Sequence, residues 1–293
     1  MVLAHGFPEL AYSWRHQIPA LAAAGYHVLA PDQRGYGGSS RPEAVEAYDI
    51  RELTTDIVGL LDDVGPSGQC GWVMTGAPGG MGCGAAASRS RGGGGRVERA
   101  AGAALPGAAH PGAAQALRRQ VLLHAVFPGA GVADAELGAD PAKTIRRMMA
   151  GLRGSSDPAA GLRMARPGPE GFVERLPEPD GLPDWISGDE LDHYIAEFTR
   201  TGFTGGLNWY RNLDRNWEIM AHPVSPTITV PALFIAGADD PVLSFMRRDR
   251  ATEVVTGPYR EVMIDGAGHW LQQERPDKIN EVLLDFLSSL ELR

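Results

Sequence analysis

The sequence predicts an α/β fold, a largely parallel sheet interrupted by a helical insertion, on three observations. Short apolar runs that end in glycine-rich loops alternate with helical apolar spacing over residues 1–72. The same alternation returns over residues 226–293. Between them, residues 131–225 read as helices joined by a Pro/Gly-rich connection. At 293 residues the chain suits one large α/β unit carrying an inserted lid.

In chain order, Met1-Val2-Leu3-Ala4 is the end of a buried strand that enters the loop His5-Gly6-Phe7-Pro8-Glu9. Ser13 to Ala24 then carries helical spacing at Trp14, Ile18, Leu21 and Ala22. Tyr26 to Ala30 reads as a short strand, followed by Pro31-Asp32-Gln33-Arg34-Gly35-Tyr36-Gly37-Gly38, a tight loop of the kind that builds sites at the carboxyl ends of parallel strands. Ile50 to Val64 repeats apolar residues at helical spacing (Leu53, Ile57, Leu60, Leu61, Val64) and stops at Gly65-Pro66. A third strand is expected near Gly71 to Val73.

There the composition changes. From Val73 to Ala130, 28 of 58 residues are Gly or Ala, only Glu98 is acidic, and Asp, Lys, Asn, Ile and Tyr are missing. Neither period 2 nor period 3.6 persists, so no element is predicted in this stretch. A low-complexity insert of that length in mid-sheet conflicts with the compact units on both sides. Past it, Val132 to Leu152 and Asp189 to Thr201 read as helices, Thr227 to Ala236 and Arg260 to Ile264 as strands, and Ile279 to Leu290 as a closing amphipathic helix.

With 27 basic against 36 acidic residues and a net charge of −9, the chain is a poor match for nucleic acid or an anionic membrane. It carries neither an apolar run long enough to span a bilayer nor a signal-peptide pattern, so the expected compartment is the cytoplasm. Cys70 and Cys83 have no metal-ligand spacing and read as inert thiols.

The chain resembles the epoxide hydrolases of the α/β-hydrolase family. The resemblance rests on His5-Gly6-Phe7-Pro8-Glu9, Ser13-Trp14-Arg15, Pro31-Asp32-Gln33-Arg34-Gly35-Tyr36-Gly37, Gly202-Phe203, Leu207-Asn208-Trp209-Tyr210-Arg211-Asn212, Asp240 and Gly268-His269-Trp270, and covers most of the chain outside 73–130. It implies the α/β-hydrolase fold with a helical cap: core over 1–72 and 226–293, cap over 131–225, and the anomalous stretch 73–130 where core and the start of the cap belong. It also implies that the chain lacks strands the family carries upstream of the His-Gly loop.

In that family a strand leads into Gly-His-Asp-Trp-Gly, whose aspartate attacks the epoxide. Trp72 to Pro78 stands at that place and contains no carboxylate. Read one frame over, the last base of the Trp72 codon with the first two of Val73 is necessarily GGT, glycine, and the last base of Met74 with the first two of Thr75 is necessarily GAC, aspartate. Synonymous choices between and after them permit Gly-His-Asp-Trp-Gly-Ala. In the third frame Arg96 to Ala101 permits a family-like strand and turn, and a tyrosine is permitted across Val126 and Phe127. Three shifts of one sign, near Trp72, Pro78 and Gly131, return the frame to zero. Residues 73–130 are therefore read as a frameshifted translation of a hydrolase gene, with the nucleophile expected at Met74 and Thr75.

By the resemblance, His269 is the general base that activates water, suited to that by an imidazole titrating near neutrality. Asp240 orients it, with Asp239 as the competitor. Tyr210 is one of two lid tyrosines that hydrogen-bond the epoxide oxygen, the other being lost at Val126 and Phe127; the alternative for Tyr210 is packing with Trp209 and Trp217. His5, Gly6, Phe7 and Pro8 form the oxyanion loop, with the Phe7 backbone N–H as donor. For His5, Asp32 and Arg34, bracing of loops is favoured over direct chemistry. No G-x-S-x-G elbow exists, which weighs against a serine esterase. The implied partners are a small-molecule epoxide and water, with no cofactor and no metal. The alternatives are a haloalkane or haloacid dehalogenase, or an inactive remnant whose folding is itself doubtful.

Overall fold

The computed structural model describes residues 1–64, 69–74, 83–89, 131–152, 170–220, 228–245 and 255–291. Strand β1 (Val2–Ala4) is wholly buried and runs directly into the His5 loop. The expected helix from Ser13 divides into a 3-10 turn, Ala11–Trp14, and α1 (Gln17–Ala23). Trp14 and Leu21 point inward as anticipated, whereas Ala22 faces solvent. Gly25, with φ of 92°, ends the segment in a conformation only glycine adopts readily.

Tyr26 to Ala30 does not form the expected strand. It meets β1 only at the Val2–Leu29 bridge, with Leu3 N donating to Leu29 O at 2.7 Å and Leu29 N donating to Met1 O at 2.8 Å. A three-residue β1 offers no ladder beyond these bonds. Helix α2 (Ile50–Asp63) starts where the side chain of Asp49 accepts from the Arg51 and Glu52 N–H groups, satisfying two orphan donors of its first turn. Its predicted apolar face is only partly buried.

The third strand falls where expected, as β2 (Gln69–Met74), parallel to β1 with Met74 opposite Ala4. The expectation that the following Ala/Gly-rich stretch forms no element is overturned by β3 (Cys83–Arg89). Backbone pairing is indifferent to side-chain identity, so a run as plain as Cys-Gly-Ala-Ala-Ala-Ser-Arg can occupy an open strand position.

The insertion is helical: α3 (Val132–Ala139), α4 (Pro141–Gly151), α5 (Phe172–Arg175), α6 (Gly188–Thr201), α7 (Thr204–Arg211) and α8 (Leu213–Met220). The single helix anticipated over Val132 to Leu152 breaks at Asp140, which caps α4 by accepting from Lys143 N, with Pro141 at the first position. Ser187 and Glu190 close a reciprocal capping box on α6, and Gly202 at φ of 69° terminates it.

The chain returns to the sheet as β4 (Ala232–Gly237) and β5 (Tyr259–Ile264), then α9 (Leu271–Glu274) and α10 (Pro276–Glu291). The sheet order is β1-β2-β3-β4-β5, with β1–β2 and β4–β5 parallel and β3 antiparallel to both neighbours. Strands β1, β2, β4 and β5 therefore share one direction, and β3 alone runs backwards.

Two apolar clusters hold this together. One packs Leu3, Trp14 and Leu21 with Leu233, Ile235, Ile264 and the α10 face Ile279, Leu283, Phe286 and Leu287. The other joins Phe7, Leu10, Tyr36 and Tyr48 to insertion residues such as Ile145, Met149, Tyr194, Phe198, Leu207 and Trp209, so the cap is fastened by burial onto the loops that follow the strands. Among the described residues, no helix is long and apolar enough to cross a membrane.

Candidate active site

The co-directional strands deliver their following loops to one end of the sheet, the usual place for a site in such sheets. Asp240 lies three residues beyond β4 and His269 five residues beyond β5. Their loops meet closely: a Cβ on Gly237 would stand 2.2 Å from the Ala267 carbonyl oxygen and 2.3 Å from that of Gly268, so only glycine allows this crossing. Asp239 N donates to Ala267 O at 3.0 Å, which fastens one loop to the other through the backbone.

Of the two adjacent carboxylates, Asp240 faces the imidazole. His269 Nδ1 lies 2.9 Å from Asp240 Oδ2, while Asp240 Oδ1 accepts from Val242 N at 2.8 Å. Side-chain exposures of 15% for His269 and 7% for Asp240 place the pair in a largely desolvated setting. Burial opposes the imidazolium, but the Asp240 carboxylate, with smaller help from Glu9 and Glu274, outweighs it, and the His269 pKa is raised above the ordinary histidine value. With Nδ1–H donated to Asp240, Nε2 is the nitrogen left for proton transfer.

His5 is fully buried and differently employed. Its Nε2 accepts from Gln33 N at 3.0 Å, so the proton sits on Nδ1, which donates to Gly6 O at 2.8 Å. The Gln33 side chain also donates to the His5 carbonyl oxygen. Burial lowers the His5 pKa, in keeping with a neutral ring used as a loop brace. The Phe7-Pro8 peptide is cis, and Gly6 N donates to Glu9 Oε2 at 3.2 Å. Asp32 braces its loop by accepting from Ala11 N at 2.9 Å and Gly38 N at 3.2 Å. Arg34 forks onto Asp56 at 2.7 and 2.8 Å, tying the same loop to α2.

Tyr210, partly buried on α7, sets its ring edge-on against Phe7 with centroids 5.6 Å apart, which brings it to the His5–Pro8 loop. Burial raises its pKa, so the phenol stays protonated as a donor. Its neighbour Trp209 turns away, donating Nε1–H to Arg34 O at 3.1 Å and packing 5.2 Å from the Tyr36 ring. The approach of α7 depends on Gly205 and Gly206: a Cβ on the first would meet Gly35 O at 2.2 Å, and on the second Phe7 Cδ2 at 2.5 Å. Trp14 and Trp270 are buried packing residues, and Trp270 Nε1 donates to Met149 O of α4 at 3.1 Å.

The Met74 backbone ends β2 beside Ala4, one residue short of His5. Thr75, Val126 and Phe127 lie outside the described residues.

Sequence reasoning missed a buried polar layer behind this site. Glu9 Oε1 accepts from Gln272 Nε2 at 2.6 Å and Gln273 Nε2 at 3.2 Å; Gln273 Oε1 accepts from Arg15 Nη1 at 2.7 Å and from the Tyr194 hydroxyl at 3.2 Å. It also missed Glu274, which accepts from Gly268 N at 2.7 Å and Trp270 N at 2.9 Å. The available signal was Gln272-Gln273-Glu274, three polar residues directly after Gly268-His269-Trp270-Leu271 and before Pro276.

The model of the "Alpha/beta hydrolase family" matches residues 1–282. Epoxide hydrolase A of Mycobacterium tuberculosis is 62% identical over 299 aligned residues, covering 100% of this chain and 91% of that protein. Epoxide hydrolase B of the same organism is 36% identical, covering 99% and 91%. Among solved structures, the crystal structure of epoxide hydrolase A from Mycobacterium thermoresistibile superposes with a TM-score of 0.80 at 53% identity, covering 98% of this chain and 90% of that one. An epoxide hydrolase from an endophytic Streptomyces gives 0.81 at 32% identity, covering 99% and 89%. The chain belongs to the α/β-hydrolase family, in its epoxide hydrolase branch, with the cap that branch carries.

Proposed function

We propose that this chain is built for epoxide hydrolysis, the addition of water to an epoxide to give a vicinal diol through an ester on a carboxylate at the end of β2. The observation that carries the reading is the Asp240–His269 pair at 2.9 Å, set on the ends of co-directional strands in a chain 62% identical to an epoxide hydrolase. The acid–base half of the reaction follows from that pair. His269 Nε2 removes a proton from water, Asp240 stabilises the resulting imidazolium, and the hydroxide attacks the ester carbonyl. The Phe7 N–H is the donor assigned to the oxyanion, where a single such group contributes about 10²–10³ in rate. Tyr210, a protonated phenol against Phe7, donates to the epoxide oxygen as the ring opens.

The nucleophilic half is missing from the sequence as it stands, since neither Met74 nor Thr75 is a carboxylate. The forced glycine and aspartate codons across Trp72 to Thr75 support a frameshift over 73–130, which places the lost aspartate at the end of β2 and the second tyrosine across Val126 and Phe127. Without a nucleophile, turnover is expected only at the level that binding and oxyanion groups leave in a disarmed triad, about 10³–10⁴ over water.

The test is to resequence the gene across the three shift points, express the literal and frame-restored chains, and measure diol formation from aryl and alkyl epoxides. Turnover is expected from the restored chain and not from the literal one. Halide release from haloalkanes with epoxides untouched would reassign the site to a dehalogenase; Tyr210, in place of a tryptophan-like halide donor, argues against that. A confirmed reading frame whose literal product turns over epoxides would sink the frameshift.

A further inference from the structure

Glu274 sits five residues beyond the base of the proposed reaction and is itself only 7% exposed. Its two oxygens serve separate donors: Oε2 accepts from Gly268 N at 2.7 Å, and Oε1 from Trp270 N at 2.9 Å. Those are the peptide N–H groups immediately before and after His269. The His269 N–H itself is occupied elsewhere, donating to Leu152 O at 3.0 Å at the end of α4. Three consecutive amides of the loop are thus anchored, the outer two by one buried carboxylate.

We propose that Glu274 is a positioning residue that grips the loop on both sides of His269 and so fixes the imidazole against Asp240. The need for a carboxylate is chemical. Two N–H donors bond to different oxygens of one side chain, and a carboxylate offers an acceptor oxygen to each and no competing donor. Burying that charge is costly unless its oxygens are hydrogen-bonded, and here both are. Leaving either amide unpaired in the buried loop carries a desolvation penalty and loosens the base.

The carboxylate also acts on the ring through space. Asp240, Glu9 and Glu274 are the charged groups that favour the His269 cation against burial, and of these only Asp240 touches the imidazole. Removing the Glu274 charge moves the balance toward neutral His269.

The role rests on His269 being the base, but its test does not need turnover. In the full-length chain with carbon-13-labelled histidine, the His269 signal, assigned by its loss in His269→Gln, is titrated in the unaltered protein and in Glu274→Gln and Glu274→Asp. Glu274→Gln keeps the volume but presents an NH₂ to one of the two donors. It is expected to shift the His269 midpoint down and to lose hydrogen-exchange protection at Gly268 or Trp270. Glu274→Asp keeps the charge but is too short to span both donors, so it recovers the midpoint more than the protection. A folded Glu274→Gln with an unchanged midpoint and both amides still protected would overturn the proposal. Should the variants not fold, exchange in the unaltered chain decides: unprotected Gly268 and Trp270 amides within an otherwise protected loop would overturn it equally. Failure of the restored chain to hydrolyse epoxides would sink the functional reading while leaving these readouts intact.

Discussion

Asp239 and Asp240 are indistinguishable by composition, and the difference between them is one of backbone direction. Asp239 spends its N–H on Ala267 O, whereas Asp240 turns its carboxylate onto His269. The His269 loop was legible because a strand runs into Gly-Ala-Gly-His-Trp; the choice of carboxylate was legible only through family resemblance, since a one-residue rotation is a tertiary property. Replacing Asp240 with Asn should remove a charge-assisted hydrogen bond, at a cost of about 1.5–3 kcal/mol near pH 6. The sign of its pH dependence follows from the raised His269 pKa. Stability from a raised folded-state pKa is complete below the ordinary value of about 6.5 and disappears as pH rises through the folded value. Urea unfolding should therefore show Asp240→Asn more destabilising at pH 6 than at pH 9; equal effects at both would contradict the linkage. Two buried tyrosines make a sharper contrast. Tyr194 shares hydrogen bonds with Ser13 Oγ at 2.7 Å and Gln273 Oε1 at 3.2 Å, while the Tyr36 hydroxyl is buried with no hydrogen-bond partner among the described residues. Tyr194→Phe should cost about 1–3 kcal/mol, and Tyr36→Phe should be neutral or slightly stabilising, since it removes an unsatisfied polar atom. Equal losses in urea midpoint would show that the Tyr36 hydroxyl is in fact satisfied.

Among elements, the helices were well read where caps and periodicity agreed, as for α2 and α6, and least well where tertiary partners decide. The Tyr26 to Ala30 strand failed because β1 is too short to pair with it. The reversed β3 could not be foreseen because its side chains carry no pattern; only the open place between β2 and β4 makes it a strand. Docking of helix α7 onto the core shows the same dependence on context. Gly205 and Gly206 lie in the first turn of α7, and the first permits the α7 backbone to lie against Gly35 O, which a Cβ would approach to 2.2 Å. Gly205→Ala is expected to destabilise by about 1–3 kcal/mol through overpacking against backbone that cannot rotate away. Gly188, at the start of α6, has only Leu182 Cδ1 at 3.9 Å near its would-be Cβ. Gly188→Ala should gain up to about 1 kcal/mol by stiffening the unfolded chain. Thermal or urea unfolding of the two variants gives opposite signs if cap docking requires Gly205; a Gly205→Ala chain as stable as the parent would deny that requirement.

For the molecule as a whole, the sheet has one strand out of step with the others. Four strands share one direction and carry the loops with His5, Asp240 and His269, while the fifth, β3, runs against them inside the 73–130 stretch. Under the proposed frameshift, this reversed strand takes the place of one encoded in another frame. A run of small residues occupies the backbone position between β2 and β4 in whichever direction the chain reaches it, because alanine and glycine impose no face. In the restored frame, Arg96 to Ala101 permits Gly-Leu-Ser-Val-Pro, a strand that would follow the nucleophile helix and enter the same position parallel to its neighbours. Such a strand brings branched apolar side chains to both faces of the sheet centre, each buried methylene contributing about 0.8 kcal/mol. The restored chain should therefore be more stable than the literal one by several kcal/mol, on the order of a few buried Leu/Val side chains at about 1.5–3 kcal/mol each. Urea denaturation of the two proteins, followed by tryptophan fluorescence, measures this directly. Coincident midpoints with equal cooperativity would mean that the antiparallel β3 is as good an occupant of the sheet centre as the strand it replaces, and would remove the stability argument for a lost reading frame.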